Sequence, residues 1–311
     1  MESNGEGAKM AGEPLNAPTD EPVGAPTPEP RLERIPAADG VSLAVRIFEP
    51  DRGAAVGDPF VLLHGIASTS VGWEEAARLL AAAGRTAYAV DMRGHGLSDR
   101  PDEGYDLTTL ASDLGAVISG LGLERPILVG HSLGASVVLE AVAIGRVRAS
   151  GVGLVEGGLT DARDQFASPE DCVARTALPP VAGMPESVLA GYLREANPGW
   201  SQARLAAALA ALDVKEDGTL AWRLTPPRYA SLLAALWIAR AADKWPAVRV
   251  PTLVVAVDTG DAPWTAAKRT AEVAMKAAIP GIRVEWLMED HDVQTAQPEA
   301  VAALLLDAFG I

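Results

Sequence analysis

Apolar and polar positions settle into two alternating patterns from Arg31 onward. Leu32 to Ile35 and Val41 to Phe48 read as two strands joined through Asp39-Gly40, a turn dipeptide. Pro59 to Leu63, Thr86 to Val90, Pro126 to Val129, Val152 to Val155 and Thr252 to Val257 are short and almost wholly apolar. Such runs suit strands covered on both faces. Between them the apolar spacing is helical over Trp73 to Ala83, Leu107 to Leu121 and Leu133 to Ile144. Gly84 follows the first of these as a C-cap residue. Near the end, Ala266 to Ile279 predicts a helix, Arg283 to Leu287 the last strand, and Pro298 to Phe309 the last helix.

Strands that alternate with helices predict an α/β fold with a mostly parallel, doubly wound sheet and right-handed crossovers. The rhythm breaks once, between Val155 and Thr252. That long stretch holds helical patterns at Glu186 to Ala196, Ser201 to Leu212 and Arg228 to Ala241. It is read as a helical cap, residues 157–250, inserted into a core of residues 31–156 and 251–311. Trp200, Trp222, Trp237, Trp245 and Trp264 fall in or just after it. They either line an apolar pocket or pack the cap helices together.

Composition changes the picture at the start of the chain. Residues 1–30 are rich in Pro, Gly, Ala and Glu, and carry six acidic side chains against Lys9. Such a segment buries too little surface to offset its ordering entropy, so a disordered acidic tail is expected. The net charge of −15 repels phosphate backbones and argues against a nucleic-acid partner. A hydrophobic content of 49% supports one large domain with an insertion, and the 5% aromatic content makes its core aliphatic. The lone Cys172 excludes an intrachain disulfide and a thiolate metal cluster. No basic-then-apolar leader and no run of ~20 apolar residues is present, so a cytoplasmic location without a membrane span is expected. No heptad pattern sets an oligomeric state.

The chemistry centres on Gly130-His131-Ser132-Leu133-Gly134, which follows a short strand and precedes a helix. A serine on such a turn is held in a strained backbone geometry, and a Cβ two residues to either side would collide with the bend. Its hydroxyl is pushed out above the sheet edge. The amide of Leu133, at a helix N-terminus, is then placed to donate to a developing oxyanion.

With three further motifs in order, the chain resembles the α/β-hydrolase family, specifically its capped members. Val61-Leu62-Leu63-His64-Gly65-Ile66 is similar to the family's strand ending in His-Gly-x. The resemblance implies that the amide of Ile66 is the second oxyanion donor. Asp91-Met92-Arg93-Gly94-His95-Gly96-Leu97-Ser98-Asp99 is similar to a structural turn of the family. His291-Asp292-Val293, followed by Gln297-Pro298-Glu299, resembles the late histidine loop.

The four histidines, His64, His95, His131 and His291, all lie inside these motifs. A general base for Ser132 needs a pKa near neutrality, which histidine supplies. His291 is the candidate by elimination and by resemblance. The acid that orients it usually follows the strand after the cap, according to the resemblance. There the sequence reads Val257-Asp258-Thr259-Gly260-Asp261, which departs from the family's spacing. Asp261 fits with one extra loop residue and ranks first; Asp258 ranks second. Some capped relatives place the acid after the strand preceding the cap, which makes Glu156 the third candidate.

The expected function is a cofactor-independent serine hydrolase, needing no metal, with a Ser-His-Asp type triad and an acyl-enzyme intermediate. The substrate is a small to medium apolar carbonyl compound: an ester, a lactone or a cleavable C–C bond. The alternatives are a perhydrolase, lyase or cyclase, or a ligand-sensing protein on the same fold.

Overall fold

The structure, a computed structural model, describes residues 29–51 and 53–310. The tail expected over residues 1–30 lies almost wholly outside the described residues. One eight-stranded sheet runs in the order β1-β2-β4-β3-β5-β6-β9-β10. Its members are β1 (Arg31–Pro36), β2 (Ser42–Phe48), β3 (Phe60–Leu63), β4 (Ala87–Val90), β5 (Ile127–His131), β6 (Gly151–Val155), β9 (Thr252–Asp258) and β10 (Arg283–Met288). β2 is antiparallel to both neighbours and every other pairing is parallel, so β2 alone runs against the rest. The strand order reverses between β3 and β5. In open parallel sheets such a switch leaves a crevice at the carboxyl edge of the strands, where ligands bind.

Helices cover both faces of the sheet, as the apolar runs require. Phe60 and Leu62 face one core with Trp73, with Leu80 of α1 (Glu74–Ala82) and with Val301 and Leu305 of α11 (Pro298–Phe309). Val61 and Leu63 face the other with Leu110 and Leu114 of α2 (Leu107–Gly120) and Val137 of α3 (Leu133–Ala143). The period of two in β3 thus feeds two separate cores. The segment between β6 and β9 contains α4 (Pro169–Arg175), α5 (Glu186–Ala196), α6 (Gln202–Ala210), α7 (Pro226–Ile238) and α8 (Ala241–Lys244). After β9 come α9 (Ala262–Ala278) and, beyond β10, the short α10 (Val293–Ala296).

Two elements depart from the pattern reading. The helix expected over Ser201 to Leu212 stops at Ala210, and a hairpin of β7 (Leu212–Val214) and β8 (Leu220–Trp222) follows. Its turn is set locally: the Asp217 side chain accepts from the Thr219 amide at 2.9 Å, and Gly218 takes φ +77°. Helix α9 starts at Ala262, four residues before the expected Ala266. Asp261 caps it by accepting from the Trp264 amide at 3.1 Å, and Pro263 fits the first turn, where no amide is needed.

The turn from Asp91 to Asp99 is a structural knot. Asp91 accepts from the amides of Ser70 at 2.6 Å and Leu97 at 2.9 Å. The Ser98 hydroxyl donates to the Asp91 carbonyl at 2.5 Å and accepts from the Ala44 amide at 2.8 Å. Buried Arg93 forms a two-pronged pair with Asp113 of α2, both bonds 2.6 Å long. Removing one partner of a buried pair strands the other charge, at a cost of about 3–5 kcal/mol. Asp39, at 2.9 Å, shares Arg93 and softens that cost. We predict that Asp113→Ala lowers the unfolding free energy by about 3 kcal/mol in urea melts; a loss under about 1 kcal/mol would show that Asp39 alone suffices.

Candidate active site

Strand β5 ends at His131 and α3 begins at Leu133, leaving Ser132 as the whole turn. Its φ of 51° and ψ of −114° belong to neither element. Such a conformation costs on the order of 1–3 kcal/mol and persists only where the surroundings impose it. Here the Ser132 amide donates to the Val155 carbonyl and its own carbonyl accepts from Ala135, each at 3.0 Å. Absent side chains complete the constraint. A Cβ on Gly130 would overlap the backbone of Gly134, and one on Gly134 would stand 2.5 Å from the Leu63 carbonyl oxygen. A Cβ on Gly157 would lie 2.7 Å from the Ser132 carbonyl oxygen. The glycines therefore let β3, the turn and the end of β6 close on one another.

Ser132 borders a cavity of about 470 Å³ at the β3/β5 switch point. Ile66, Leu133, Glu156, Lys268 and His291 surround the serine end. Leu107 and Leu139 continue the wall, and Leu159, Phe166, Tyr229, Leu233 and Leu236 close it from the segment between β6 and β9. The Leu133 amide lies in the first turn of α3, where helical amides have no partner within the helix. The Ile66 amide makes no backbone hydrogen bond among the described residues.

Three of the four histidines are internal and support the site. His64 Nδ1 donates to the Gly65 carbonyl at 2.7 Å, and its Nε2 accepts from the Met92 amide at 3.1 Å. His95 donates from Nδ1 to the Arg93 carbonyl at 3.0 Å and accepts at Nε2 from Ala67 at 3.3 Å. A carbonyl only accepts and an amide only donates, so both rings are held in one neutral tautomer. Burial takes the His64 pKa down to about 4 and that of His95 to about 3. His131 runs back from the serine and donates from Nε2 to the carbonyl of His291 at 2.9 Å. Burial, with His291 nearby, lowers its pKa to about 4. The elbow's own histidine therefore anchors the main chain of the loop that carries His291, a role that adjacency to the serine did not reveal.

His291 reaches the cavity from the loop between β10 and α10, with its side chain 55% exposed. Its Nδ1 stands 3.9 Å from Glu156 Oε1. That is too long for a hydrogen bond, although such contacts commonly tighten when substrate binds. Surrounding protein atoms draw the ring's pKa down, but the carboxylates of Glu156 and Asp292 outweigh them and hold it above the ordinary value.

The three candidate acids separate clearly. Asp261, ranked first from the sequence, is exposed and turned to the N-terminus of α9, where it caps the helix. Asp258 accepts from the Gly260 amide at 3.0 Å and the Thr265 hydroxyl at 2.8 Å. Neither has a contact with His291. Glu156, ranked third, is the carboxylate beside the ring. It directly follows β6 at φ +41°, and its Oε2 accepts from the Val257 amide at 2.7 Å. Burial pushes its pKa up, but His291 and the ammonium of Lys268 outweigh that and hold it below the usual range.

The tryptophans mostly pack rather than line the cavity. Trp222, Trp237 and Trp245 donate from their indoles to the carbonyls of Pro179, Phe166 and Gly158 at 2.8, 3.2 and 2.9 Å. Trp200 lies under Arg204 at 4.6 Å. Trp264 alone among the five borders the cavity. Cys172 is buried in α4, and burial raises its thiol pKa. Among the described residues no three His, Cys, Asp or Glu side chains group as metal ligands, and no helix is long and apolar enough to cross a membrane.

Residues 60–304 match the model described as the alpha/beta hydrolase family. Over 93 residues, 30% of this chain and 33% of the relative, the sequence is 39% identical to a putative non-heme chloroperoxidase of Synechocystis. Over 88 residues, 28% of this chain and 31% of the relative, it is 42% identical to 2-(acetamidomethylene)succinate hydrolase of Mesorhizobium japonicum. The matched segments thus span about a third of the length of these curated relatives. A crystal structure of E-2-(acetamidomethylene)succinate hydrolase superposes with a TM-score of 0.71, covering 90% of this chain and 99% of that one at 24% identity. The enol-lactonase of Burkholderia xenovorans LB400 gives 0.65 over 88% and 98% at 21% identity. At those identities the superpositions speak for the fold.

Strain at the elbow is testable through its glycines. Gly134→Ala presses a methyl group onto rigid backbone and should cost about 3 kcal/mol in urea melts. Gly145, at φ +68° with nothing within 4 Å of a built Cβ, is the control, and its change to alanine should cost about 1 kcal/mol. Equal losses at the two positions would remove the steric argument.

Proposed function

This chain belongs to the alpha/beta hydrolase family, and on that premise we propose that it is a serine hydrolase that opens an uncharged, largely apolar ester or lactone through an acyl-enzyme. The observation that carries the reading is Ser132, held at positive φ on the rim of a cavity that His291 also borders. Nδ1 of His291 turns to Glu156, so Nε2 is the nitrogen left to take the serine proton. Ser132 Oγ then attacks the carbonyl carbon, and the amides of Ile66 and Leu133 hold the oxyanion. The imidazolium returns the proton to the leaving oxygen, and water activated by the same ring releases the acid.

In this reading Glu156, not Asp261, orients His291 and stabilises its charged form. The geometry of the three carboxylates supports that choice: Glu156 is 3.9 Å from Nδ1, while Asp261 is engaged at α9. Charge pairing in the cavity supports the substrate class. Lys268 pairs with Glu156 at 2.6 Å, Lys244 with Glu140 at 3.0 Å, and Asp161 with Arg240 at 3.3 Å. Among the described residues both lysines of the wall are thus engaged by protein carboxylates rather than left for a substrate carboxylate, and the remaining surface is mainly aliphatic and aromatic. A volume of about 470 Å³ suits a ligand of small to medium size.

A second reading, perhydrolysis, replaces water by hydrogen peroxide in the release step. The relative named as a putative non-heme chloroperoxidase favours keeping it in view. In ¹⁸O-labelled water, hydrolysis places one label in the acid product; a product without label contradicts it.

A panel of neutral esters and lactones tests the catalytic assignment. Ser132→Ala should lower kcat/KM by about 10⁴-fold or more, and undiminished turnover would refute the nucleophile. Glu156→Gln should cost about 10³–10⁴-fold, whereas Asp261→Asn, which preserves a good cap, should stay within about twofold. The reverse order would restore Asp261. The base works as neutral imidazole, so kcat/KM should rise with pH through a midpoint above histidine's ordinary value. Removing the Glu156 charge should move that midpoint down, because the imidazolium loses its nearest anion.

A further inference from the structure

We propose that Lys268 is a positioning residue that shares one carboxylate oxygen with the catalytic base and thereby limits how basic that base becomes. The inference rests on the serine-hydrolase reading, and it adds a fourth side chain to Ser132, His291 and Glu156. Lys268 projects from α9 and is only 2% exposed. Its ammonium donates to Glu156 Oε1 at 2.6 Å and also to the carbonyl of Val257. Oε1 is the same oxygen that faces His291 Nδ1 at 3.9 Å, while Oε2 is occupied by the Val257 amide. Both oxygens of this carboxylate therefore accept a hydrogen bond from the protein, and Oε1 is the one that also faces the ring.

A lysine buried this deeply is costly unless its charge is matched and its donors are used. Glu156 and Val257 meet that requirement, and the rings of Trp264 and Trp286 lie 5.7 and 5.8 Å from Nζ, where their faces attract a cation. The arrangement has a consequence for His291. A lone buried glutamate would stabilise imidazolium strongly and delay the appearance of the neutral base. A glutamate already half-neutralised by an ammonium stabilises it less. At the same time the ammonium keeps Glu156 ionised despite burial, so a negative acceptor stays in place as the ring takes a proton.

The other charges around the ring are few. Asp292 follows it in the same loop and favours its charged form. Asp290, in that loop, is paired with Arg204 of α6. His131 of β5, with its ring centroid 5.0 Å away, stays neutral because burial holds its pKa at about 4. Asp258, at the end of β9, feels the Lys268 charge and is held by Gly260 and Thr265. Lys268 is the cation beside Glu156 that can be replaced while Ser132, His291 and Glu156 themselves are kept.

The histidine census makes the test direct. Burial takes the pKa of His64, His95 and His131 down to about 4, 3 and 4, while that of His291 is held above histidine's ordinary value, so the imidazole signal with the highest midpoint in a histidine NMR titration is the one expected from His291. The titration needs neither substrate nor turnover. In Lys268→Met and Lys268→Gln, the second keeping a donor for Glu156 should the first fail to fold, the His291 midpoint should rise by about one pH unit. Lys268→Arg, which keeps the charge, should leave it within about 0.3. The acid limb of kcat/KM should move upward by the same amount. An unchanged or lowered midpoint in a folded, uncharged variant overturns the proposal, even if activity falls. A raised midpoint in a protein that turns over no ester would uphold the Lys268 role while rejecting the hydrolase reading, so the two failures are distinct.

Discussion

One backbone residue governs the site. Ser132 occupies a conformation that an L-residue adopts only under constraint, and the constraint is steric closure between β3, β5, α3 and the end of β6. Relaxing any of those contacts would let the turn fall back toward strand or helix and withdraw the hydroxyl from the cavity. The packing of two aliphatic cores on either face of the sheet is therefore coupled to the chemistry. Burial energy spread over many Val, Leu and Ile side chains holds one serine in a geometry worth a few kcal/mol of strain.

The polar end of the cavity follows a second rule, that buried charge is tolerated only when matched. The charged side chains bordering the cavity are paired across elements: β6 to α9, α3 to α8 and the inserted segment to itself. His64 and His95 go further and shed their charge, each fixed as a neutral tautomer between a carbonyl and an amide. His291 differs, being exposed and bordered by carboxylates, which hold its pKa above histidine's ordinary value. A single imidazole is thus set apart by its surroundings rather than by its sequence neighbours.

Much of the architecture was legible because it rests on periodicity. Runs such as Pro59 to Leu63 suit strands buried on both faces, and glycine, proline and aspartate mark where elements turn. The strained turn at Ser132 was legible for a related reason: two glycines flanking a serine between strand and helix encode a local steric requirement. The hairpin after α6 was not, because three-residue strands carry too little pattern. The order in which the sequence ranks the three carboxylates turns on a contact that spacing alone does not resolve. Asp261 lies in a loop whose spacing resembles the family's, but a carboxylate one residue before a helix with proline in its first turn is also an ideal cap, and the cap prevails. The pairing of Glu156 with Lys268 spans 112 positions and is created only when α9 packs against the end of β6. The anchoring of the His291 carbonyl by His131 likewise needs two distant elements brought together.

A crystal structure of the protein inactivated by a fluorophosphonate would interrogate the central claim most directly. The account predicts phosphorus bonded to Ser132 Oγ, with one phosphoryl oxygen about 2.7–3.1 Å from the amides of both Ile66 and Leu133 and with His291 beside the adduct. An adduct on another residue, or a phosphoryl oxygen pointing away from both amides, would contradict it.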